Sequence, residues 1–228
     1  MKWQVIFDII EHMDTPEEIG LPQEGNHKLD ERIKFLTGDI TDTETDVIVC
    51  PSLPDLDVMY MGVAGAIMRK GGDKIFAEAR AIGKRAQEQN PDKKFPIPLH
   101  SAHLTSAGNL PKAKHVIHSV AVNYSEEDGL SCDSEAIFRS AWNVLVVADK
   151  NSLASVAFPA LGAGLYQVPL DQSFGAIAQA SDLFFKNHPQ TSLKEVSLVS
   201  FNPSIPKPKL IDELRTDLLI RELRGREN

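Results

Sequence analysis

The stretch Phe158-Pro-Ala-Leu-Gly-Ala-Gly-Leu-Tyr-Gln-Val-Pro169 carries the strongest local signal in this 228-residue chain. A short apolar run, Ser155 to Phe158, predicts a strand that enters a turn containing Gly162 and Gly164, and Pro169 predicts the start of a helix. Glycines at a junction between a strand and a helix allow several backbone N–H groups to point into one hollow, which suits an anion. Glycine-rich turns also occur without a ligand, so the neighbouring segments decide what this turn does.

Segments with strand and helix patterns alternate on both sides of this turn. The run Asp46 to Cys50 is rich in β-branched residues, which predicts a strand buried on both faces. The alternation predicts an α/β protein, a three-layer α/β/α sandwich with a mixed, largely parallel central sheet. Ligands of such folds bind at the carboxyl ends of the strands, where the glycine turn lies. The other segments with regular patterns are 32–36, 63–70, 76–86, 101–105, 115–122, 135–150, 169–186 and 195–201.

The sequence divides into a main domain with an extension at each end. Residues 1–30 predict a strand followed by a linker, both packed on the domain, and residues 31–205 form the domain itself. Residues 206–228 predict an amphipathic helix, because Leu210, Leu214 and Leu218 recur at helical spacing. This helix either docks on the core of the domain or mediates a homodimer.

Composition and charge exclude some classes of function. The formal net charge is −8, which argues against general binding to nucleic acid or to anionic membranes, because both require a basic field. The sequence shows neither a leader with a basic segment before an apolar one nor an apolar run long enough to span a membrane, so we expect a cytoplasmic protein. Cys50 ends an apolar run and predicts a buried free thiol, and neither it nor Cys132 requires a disulfide.

The order and spacing of five segments resemble the macro domain family, whose members bind ADP-ribose. Each segment is a weak signal by itself, whereas the set is specific, and it extends over roughly residues 32–202 of this chain. The segments are Gly38-Asp-Ile-Thr41, Asp46-Val-Ile-Val49, Gly62-Val-Ala-Gly-Ala-Ile67, Thr105-Ser-Ala-Gly-Asn-Leu-Pro-Lys-Ala-Lys-His-Val-Ile-His118 and the stretch 158–169.

The resemblance implies a site for adenine. Asp39 stands where the family has an acidic residue that accepts a hydrogen bond from the adenine amino group, and Ile40 belongs to the same contact. Phe201 stands where an aromatic ring commonly covers the face of the adenine. The alternatives are that Asp39 only caps a following turn and that Phe201 only fills the core.

The resemblance also implies a clamp around the diphosphate and the distal ribose. One side of the clamp is formed by Gly162, Ala163, Gly164, Leu165 and Tyr166, and the other side by Gly62, Val63 and Ala64. Asn109 and His118 also match positions of the family pattern, and we interpret both residues as structural. The resemblance implies no cofactor.

Histidines spaced three apart occur twice in this chain. The pairs are His100 with His103 and His115 with His118. We do not interpret them as a metal site, because residues three apart on a strand point to opposite faces of the sheet.

The first ligand loop departs from the family pattern. Family members usually have Asn-Ala-Ala-Asn and then several glycines, whereas this chain has Cys50-Pro-Ser-Leu53 and then Met59-Tyr60-Met61 before Gly62. Leu53 cannot replace the hydrogen bonds of an asparagine. Three outcomes are open: the loop swings out and leaves a wider site, Tyr60 and the methionines line a different and more apolar pocket, or these side chains belong to the core.

The departure also bears on catalysis. Asp55 and Asp57 are the weak candidates for a catalytic base, and they would place negative charge beside a bound diphosphate if the loop followed the family path. The resemblance therefore favours binding of ADP-ribose, or of a related nucleotide diphosphate, without efficient catalysis. The expected partner is ADP-ribose or an ADP-ribosylated macromolecule. The alternatives are a hydrolase that removes ADP-ribose from modified protein or nucleic acid, and a scaffold with a closed cleft.

Overall fold

The computed structural model describes residues 29–57 and 61–201, and a six-stranded sheet runs through the middle of this region. In chain order the strands are β1 (Ile33–Thr37), β2 (Thr45–Pro51), β3 (Ala102–Ser106), β4 (Ala113–Ser119), β5 (Asn123–Ser125), β6 (Gly129–Ser131), β7 (Ser155–Phe158) and β8 (Glu195–Ser200). The sheet has the order β1-β8-β7-β2-β4-β3, and β5 and β6 form a separate hairpin. Within the six-stranded sheet only β3 is antiparallel to its neighbour, so this sheet is mixed and largely parallel, as predicted.

Helices cover both faces of the sheet. They are α1 (Gly62–Gly71), α2 (Lys74–Gln89), α3 (Ser134–Lys150) and α4 (Leu170–Asn187), with a short 3-10 helix at Ile40–Asp42. Strand β2 shows how the layers are built, because successive side chains of a strand point to opposite faces. Val47 and Val49 pack in the core beneath α3 and α4, whereas Ile48 and Cys50 pack in the core beneath α1 and α2. The predicted three-layer α/β/α sandwich is therefore confirmed.

The parallel strands bring several loops to one edge of the sheet. Strands β1, β8, β7, β2 and β4 all run in the same direction, so their carboxyl ends lie side by side. Pro51 at the end of β2 is in register with Ser119 at the end of β4. The glycine turn follows β7 at the same edge, and α4 begins directly after it at Leu170.

Two details of the fold differ from the sequence-based expectation. Strand β4 ends at Ser119 rather than at Val122, and the hairpin of β5 and β6 was not predicted. The hairpin is held by a contact distant in sequence: the ring of Tyr124 packs edge-on against Phe95, with centroids 4.9 Å apart. Lys94 Nζ also donates to the Tyr124 hydroxyl at 2.6 Å. Contacts of this kind leave no periodic signal in a single sequence.

Several expectations concern residues that the structure does not describe. The strand and linker of residues 1–28, the side chains of Met59 and Tyr60, and the amphipathic helix of residues 206–228 all lie outside the described residues. The expected free thiol lies inside them, and Cys50 is fully buried and unbridged, as predicted. Of the helices in residues 29–57 and 61–201, none combines the length and the apolar character that crossing a membrane requires.

Candidate functional site

A cleft of about 590 Å³ lies at the carboxyl edge of the sheet, between two loops. We define loop one as residues 51–61, of which 51–57 and 61 are described, and loop two as residues 159–169. The volume lies within the range of about 300–1,000 Å³ that is typical of small-molecule sites. The residues that line the cleft are Pro51, Ser52, Leu53, Met61, Gly62, Val63, Ala64, Ser119, Ala121, Val122, Pro159, Ala160, Gly162, Ala163, Gly164, Leu165, Tyr166, Leu170, Phe174, Val199, Ser200 and Phe201.

Loop two depends on glycine at one position. Gly162 has φ +73°, a conformation that side chains other than glycine rarely adopt. A Cβ atom at this position would lie 2.5 Å from Cys132 Sγ and 2.9 Å from Val168 Cγ2. Gly164 differs, because a Cβ atom there would meet nothing within 4 Å. The path of loop two is therefore fixed at Gly162 by backbone conformation and close packing together.

Most of the amides of loop two are not used inside the protein. Val168 N–H donates to Gly162 O at 3.2 Å, and Ala163 N–H reaches Ala160 O only at 3.5 Å, at the limit of a hydrogen bond. The N–H groups of Gly162, Gly164, Leu165 and Tyr166 donate to no acceptor within residues 29–57 and 61–201. Since all four residues line the cleft, loop two offers a set of unused main-chain donors.

Two helices begin at the cleft and add to these donors. Helix α1 starts at Gly62, and its first residues line the cleft opposite loop two, while α4 starts at Leu170. The first N–H groups of a helix have no partner within the helix, and the helix dipole places partial positive charge at this end. None of the described lining residues has a charged side chain. The electrostatic character of the cleft therefore comes from main-chain dipoles, which favour an anion.

The expected adenine end lies beside β1 and β8. Asp39 caps the 3-10 helix: its Oδ1 accepts from Thr41 N–H at 2.9 Å and from the Thr41 hydroxyl at 2.6 Å. The hydrogen bond from the Thr41 hydroxyl is the main reason that the pKa of Asp39 lies below its ordinary value. Lys70 Nζ also lies 3.3 Å from Asp39 Oδ2. The alternative that Asp39 caps a turn is thus realised, and Asp39 is not among the residues that line the cleft. Its contact with adenine stays a prediction.

Main-chain geometry nevertheless places this turn next to the cleft. Gly38 N–H donates to Ser200 O at 2.9 Å, and Ser200 lines the cleft. The side chain of Ile40 is buried in the core, so only its main chain is left for a ligand contact. The Ile40 N–H has no acceptor in the described part of the chain.

The mouth of the cleft carries exposed apolar side chains. Phe201 is 84% exposed, so the alternative that it fills the core is wrong. Met61 is 71% exposed and Leu165 is 59% exposed, and both also line the cleft. Leu36 is the remaining large apolar residue that is exposed in the described residues, so three of the four lie at this mouth. Exposed apolar groups concentrated at one opening are typical of a binding surface.

Loop one runs away from the cleft after Leu53. Leu56 is 1% exposed and packs in a core cluster with residues of α2, and Leu56 N–H donates to Leu53 O at 2.9 Å. The carbonyl of Asp55 lies against Gly83 of α2, where a Cβ atom would not fit. Of the three outcomes that the sequence left open, burial in the core does not apply to Met61, which is exposed and lines the cleft, and the choice between the other two stays open.

This path separates the candidate catalytic carboxylates from the cleft. Asp55 and Asp57 are exposed, and neither is among the residues that line the cleft. Asp57 N–H donates to Asp55 Oδ1 at 2.9 Å, so Asp55 stabilises the turn of its own loop. The structure therefore does not bring either carboxylate to the position of a base or beside the main-chain donors.

His118 and Asn109 have the structural roles expected for them. His118 is 1% exposed, with Nδ1 at 3.2 Å from Ser52 Oγ and Nε2 at 3.2 Å from Thr105 Oγ1. Burial lowers the pKa of His118 to about 4, so the ring is neutral near pH 7. Asn109 lies in a turn, where its N–H donates to Gly71 O at 2.8 Å. In residues 29–57 and 61–201 no group of three or more His, Cys, Asp or Glu side chains could hold a metal ion.

The sequence-based reasoning missed Ser52 and Ser119 as lining residues. Ser52 lies next to Leu53, in the loop where the family pattern is lost, and Ser119 ends β4. Ser52 follows closely after the predicted strand of residues 46–50, whereas Ser119 lies inside the predicted strand of residues 115–122, so the sequence carried no signal for Ser119. Their proximity depends on the pairing of β2 with β4, which joins residues more than sixty positions apart.

Comparison with known proteins identifies the family of this fold. The model of the Macro domain family matches residues 58–177. A Macro domain-containing protein of Caldanaerobacter subterraneus subsp. tengcongensis is 31% identical over 173 residues, which cover 75% of this chain and 90% of that protein. This chain belongs to the macro domain family. Loop two and the start of α1 both lie inside the matched region.

Other relatives of this chain differ in length. A Pyrobaculum aerophilum protein is 35% identical over 148 residues, which cover 65% of this chain and 73% of that protein. A Thermotoga maritima protein is 33% identical over 177 residues, which cover 77% of this chain but only 27% of that protein. The macro domain of this chain thus corresponds to about a quarter of the Thermotoga relative.

Solved macrodomain structures share the fold. A Trypanosoma brucei macrodomain in complex with ADP-ribose has a TM-score of 0.59 at 20% identity, covering 82% of this chain and 69% of that chain. A mutant Oceanobacillus iheyensis macrodomain with ADPR has a TM-score of 0.63 at 23% identity, covering 86% of this chain and 97% of that chain. At these identities the likeness concerns the fold of the macro domain.

Proposed function

We propose that this macro domain binds ADP-ribose, or a related nucleotide diphosphate, in the cleft between loop one and loop two. The observation that carries the proposal is the set of unused main-chain donors at Gly162, Gly164, Leu165 and Tyr166, in residues that line the same cleft as the start of α1. A diphosphate supplies several anionic acceptors at once, and main-chain donors can bind them without any basic side chain. This agrees with an acidic chain whose cleft has no charged lining residue in the described part.

The shape of the cleft supports one orientation of the ligand. The exposed ring of Phe201 at the end of β8 offers a face for the adenine, which would contribute about 1 kcal/mol by stacking. Asp39 and the Ile40 N–H lie beside this end as an acceptor and a donor for the base. The diphosphate then lies over loop two, and the terminal ribose extends toward the ends of β2 and β4.

The relatives support the same ligand class. The Trypanosoma brucei macrodomain forms a complex with ADP-ribose, and the Oceanobacillus iheyensis macrodomain was solved with ADPR. By analogy, the natural partner of this chain is ADP-ribose, either free or attached to a macromolecule. The cleft of about 590 Å³ favours this function over a scaffold with a closed site.

Binding without efficient turnover is part of the proposal. Leu53 replaces the asparagine of the family pattern, and Asp55 and Asp57 are exposed outside the cleft. Neither carboxylate lines the cleft, which supports a cleft that has no general base from loop one. Incubation with a mono-ADP-ribosylated protein tests this point: the label should remain, and its release at an enzymatic rate would favour the hydrolase alternative.

Calorimetric titration tests binding itself. We expect ADP-ribose to bind the wild-type protein, and Ala163→Glu to reduce the affinity at least about 100-fold, because it places a carboxylate among the donors that face the diphosphate. The matched control is Ala81→Glu, which adds the same charge at an exposed position of α2. Absence of heat and of any thermal shift with wild-type protein at millimolar ADP-ribose would contradict the proposal.

A further inference from the structure

Lys70 lies between two carboxylates beside the expected adenine end of the cleft. Its Nζ is 2.8 Å from Asp42 Oδ2 and 3.3 Å from Asp39 Oδ2. Lys70 belongs to α1, which packs against the 3-10 helix that Asp39 caps. Ile40 of the 3-10 helix is buried in the same core cluster as Ile67 of α1, so the packing of the two helices keeps the lysine next to Asp39.

Most of the acceptor capacity of Asp39 is used inside the protein. A carboxylate has two oxygens with about four acceptor positions. Oδ1 accepts from both the N–H and the hydroxyl of Thr41, which is itself fully buried, and Oδ2 accepts from Lys70 Nζ. An adenine amino group would therefore have to share Oδ2 with a cation. The positive charge of Lys70 also repels the hydrogen atoms that the amino group offers.

The other groups at this end distinguish poorly between purines. The exposed ring of Phe201 can stack on any base, because every base has a π-face. The Ile40 N–H is a single donor, which can meet N1 of adenine or the oxygen at C6 of a 6-oxopurine such as hypoxanthine. Asp39, the acceptor that would favour an amino group, is not among the residues that line the cleft.

We propose that Lys70 relaxes the base specificity of this cleft, so that it binds nucleotide diphosphates of 6-oxopurines as well as those of adenine. The inference rests on the proposed function and concerns the base end of the same site. Lys70 acts through Asp39: it weakens the acceptor that would select an amino group, and its charge favours an oxygen at C6. It is therefore a positioning residue that determines specificity without touching the ligand.

The test compares ADP-ribose with its analogue in which hypoxanthine replaces adenine, so that the two ligands differ only in the base. By calorimetry, we expect the full wild-type chain to bind the two ligands with affinities within about threefold of each other. Lys70→Met removes the charge and keeps a long unbranched side chain. It should produce a preference of at least about 10-fold for ADP-ribose, the size that a hydrogen bond to a charged group implies. Lys70→Arg keeps a cation and should retain the wild-type ratio.

Lys74→Met is the matched control, because Lys74 is exposed on α2 and its ion pair with Glu78 spans 4.0 Å. This variant loses the same charge and should alter the ratio of the two affinities less than about twofold. Both ligands are measured on the same variant, so a loss of stability alone would not change that ratio. A preference of about 10-fold or more for ADP-ribose in the wild-type protein, or a wild-type ratio in Lys70→Met, would overturn this inference alone. Failure of both ligands to bind the wild-type protein would overturn the proposed function as well.

Discussion

Loop one and loop two face each other across the cleft, yet they are stabilised in different ways. Loop two follows the family pattern, contains Gly162 in a positive-φ conformation and leaves most of its amides unused. Loop one has lost the family pattern, and Leu56 anchors its described part in the core beside α2. Leu56 therefore anchors loop one in the core, whereas the path of loop two at Gly162 depends on a positive φ together with close packing against Cys132 and Val168.

The difference teaches which changes of sequence a main-chain binding site tolerates. Main-chain donors do not depend on the identity of most side chains, so loop two can bind a diphosphate as long as its backbone path is kept. Loop one in the family contributes an asparagine side chain, and replacement by Leu53 removes that contact directly. Each loop can be disrupted by one substitution, and the two substitutions should differ in their effect on ADP-ribose.

Of the two substitutions that compare the loops, Gly162→Ala in loop two should have the larger effect on binding. The added methyl group requires a positive φ and collides with Cys132 and Val168, so we expect a loss of about 2–4 kcal/mol of stability. The affinity for ADP-ribose should fall at least about 10-fold, because the unused amides are displaced. Denaturant unfolding and calorimetry measure the two effects.

Gly164→Ala is the matched control for this prediction. A Cβ atom at Gly164 meets nothing within 4 Å, and its φ is not among the positive values. Its stability should change by less than about 1 kcal/mol. Equal destabilisation by the two substitutions would mean that the conformation of Gly162 does not determine the loop path.

A smaller effect on binding is expected for Leu56→Ala in loop one. Removing this buried side chain should cost about 2–4 kcal/mol of stability, because it leaves a cavity beside Ala79 and Ile97. The affinity for ADP-ribose should change less than about threefold, since Leu56 does not line the cleft. Thermal unfolding with and without ADP-ribose separates the two quantities. A loss of affinity as large as that of Gly162→Ala would end the distinction between the loops.

Local patterns were sufficient to predict the fold and loop two. The apolar runs Asp46 to Cys50 and Ser155 to Phe158 are buried strands, and the turn at Gly162 lies at the end of the second run, as expected. These features depend on residues within a few positions of one another. The periodicity of strands and helices, and the positions where a turn needs glycine, can therefore be recognised in a single sequence.

The features that the sequence did not predict depend on distant contacts. The burial of Leu56 requires α2, and a single leucine between two aspartates has no periodicity that indicates it. The bond between Ser52 and His118 joins residues 66 positions apart. Phe201 was expected at the site only through the resemblance, because an aromatic residue after an apolar strand is by itself compatible with core packing and with a binding site.

The central claim is that the unused amides of loop two bind the diphosphate, and amide NMR of the protein titrated with ADP-ribose tests it most directly. We predict that the amide resonances of Gly162, Gly164, Leu165 and Tyr166 shift the most in loop two, because these groups gain charged acceptors. The amide of Val168, which already donates to Gly162 O, should shift less. Saturable binding that leaves those four resonances in place while other amides shift would contradict the claim.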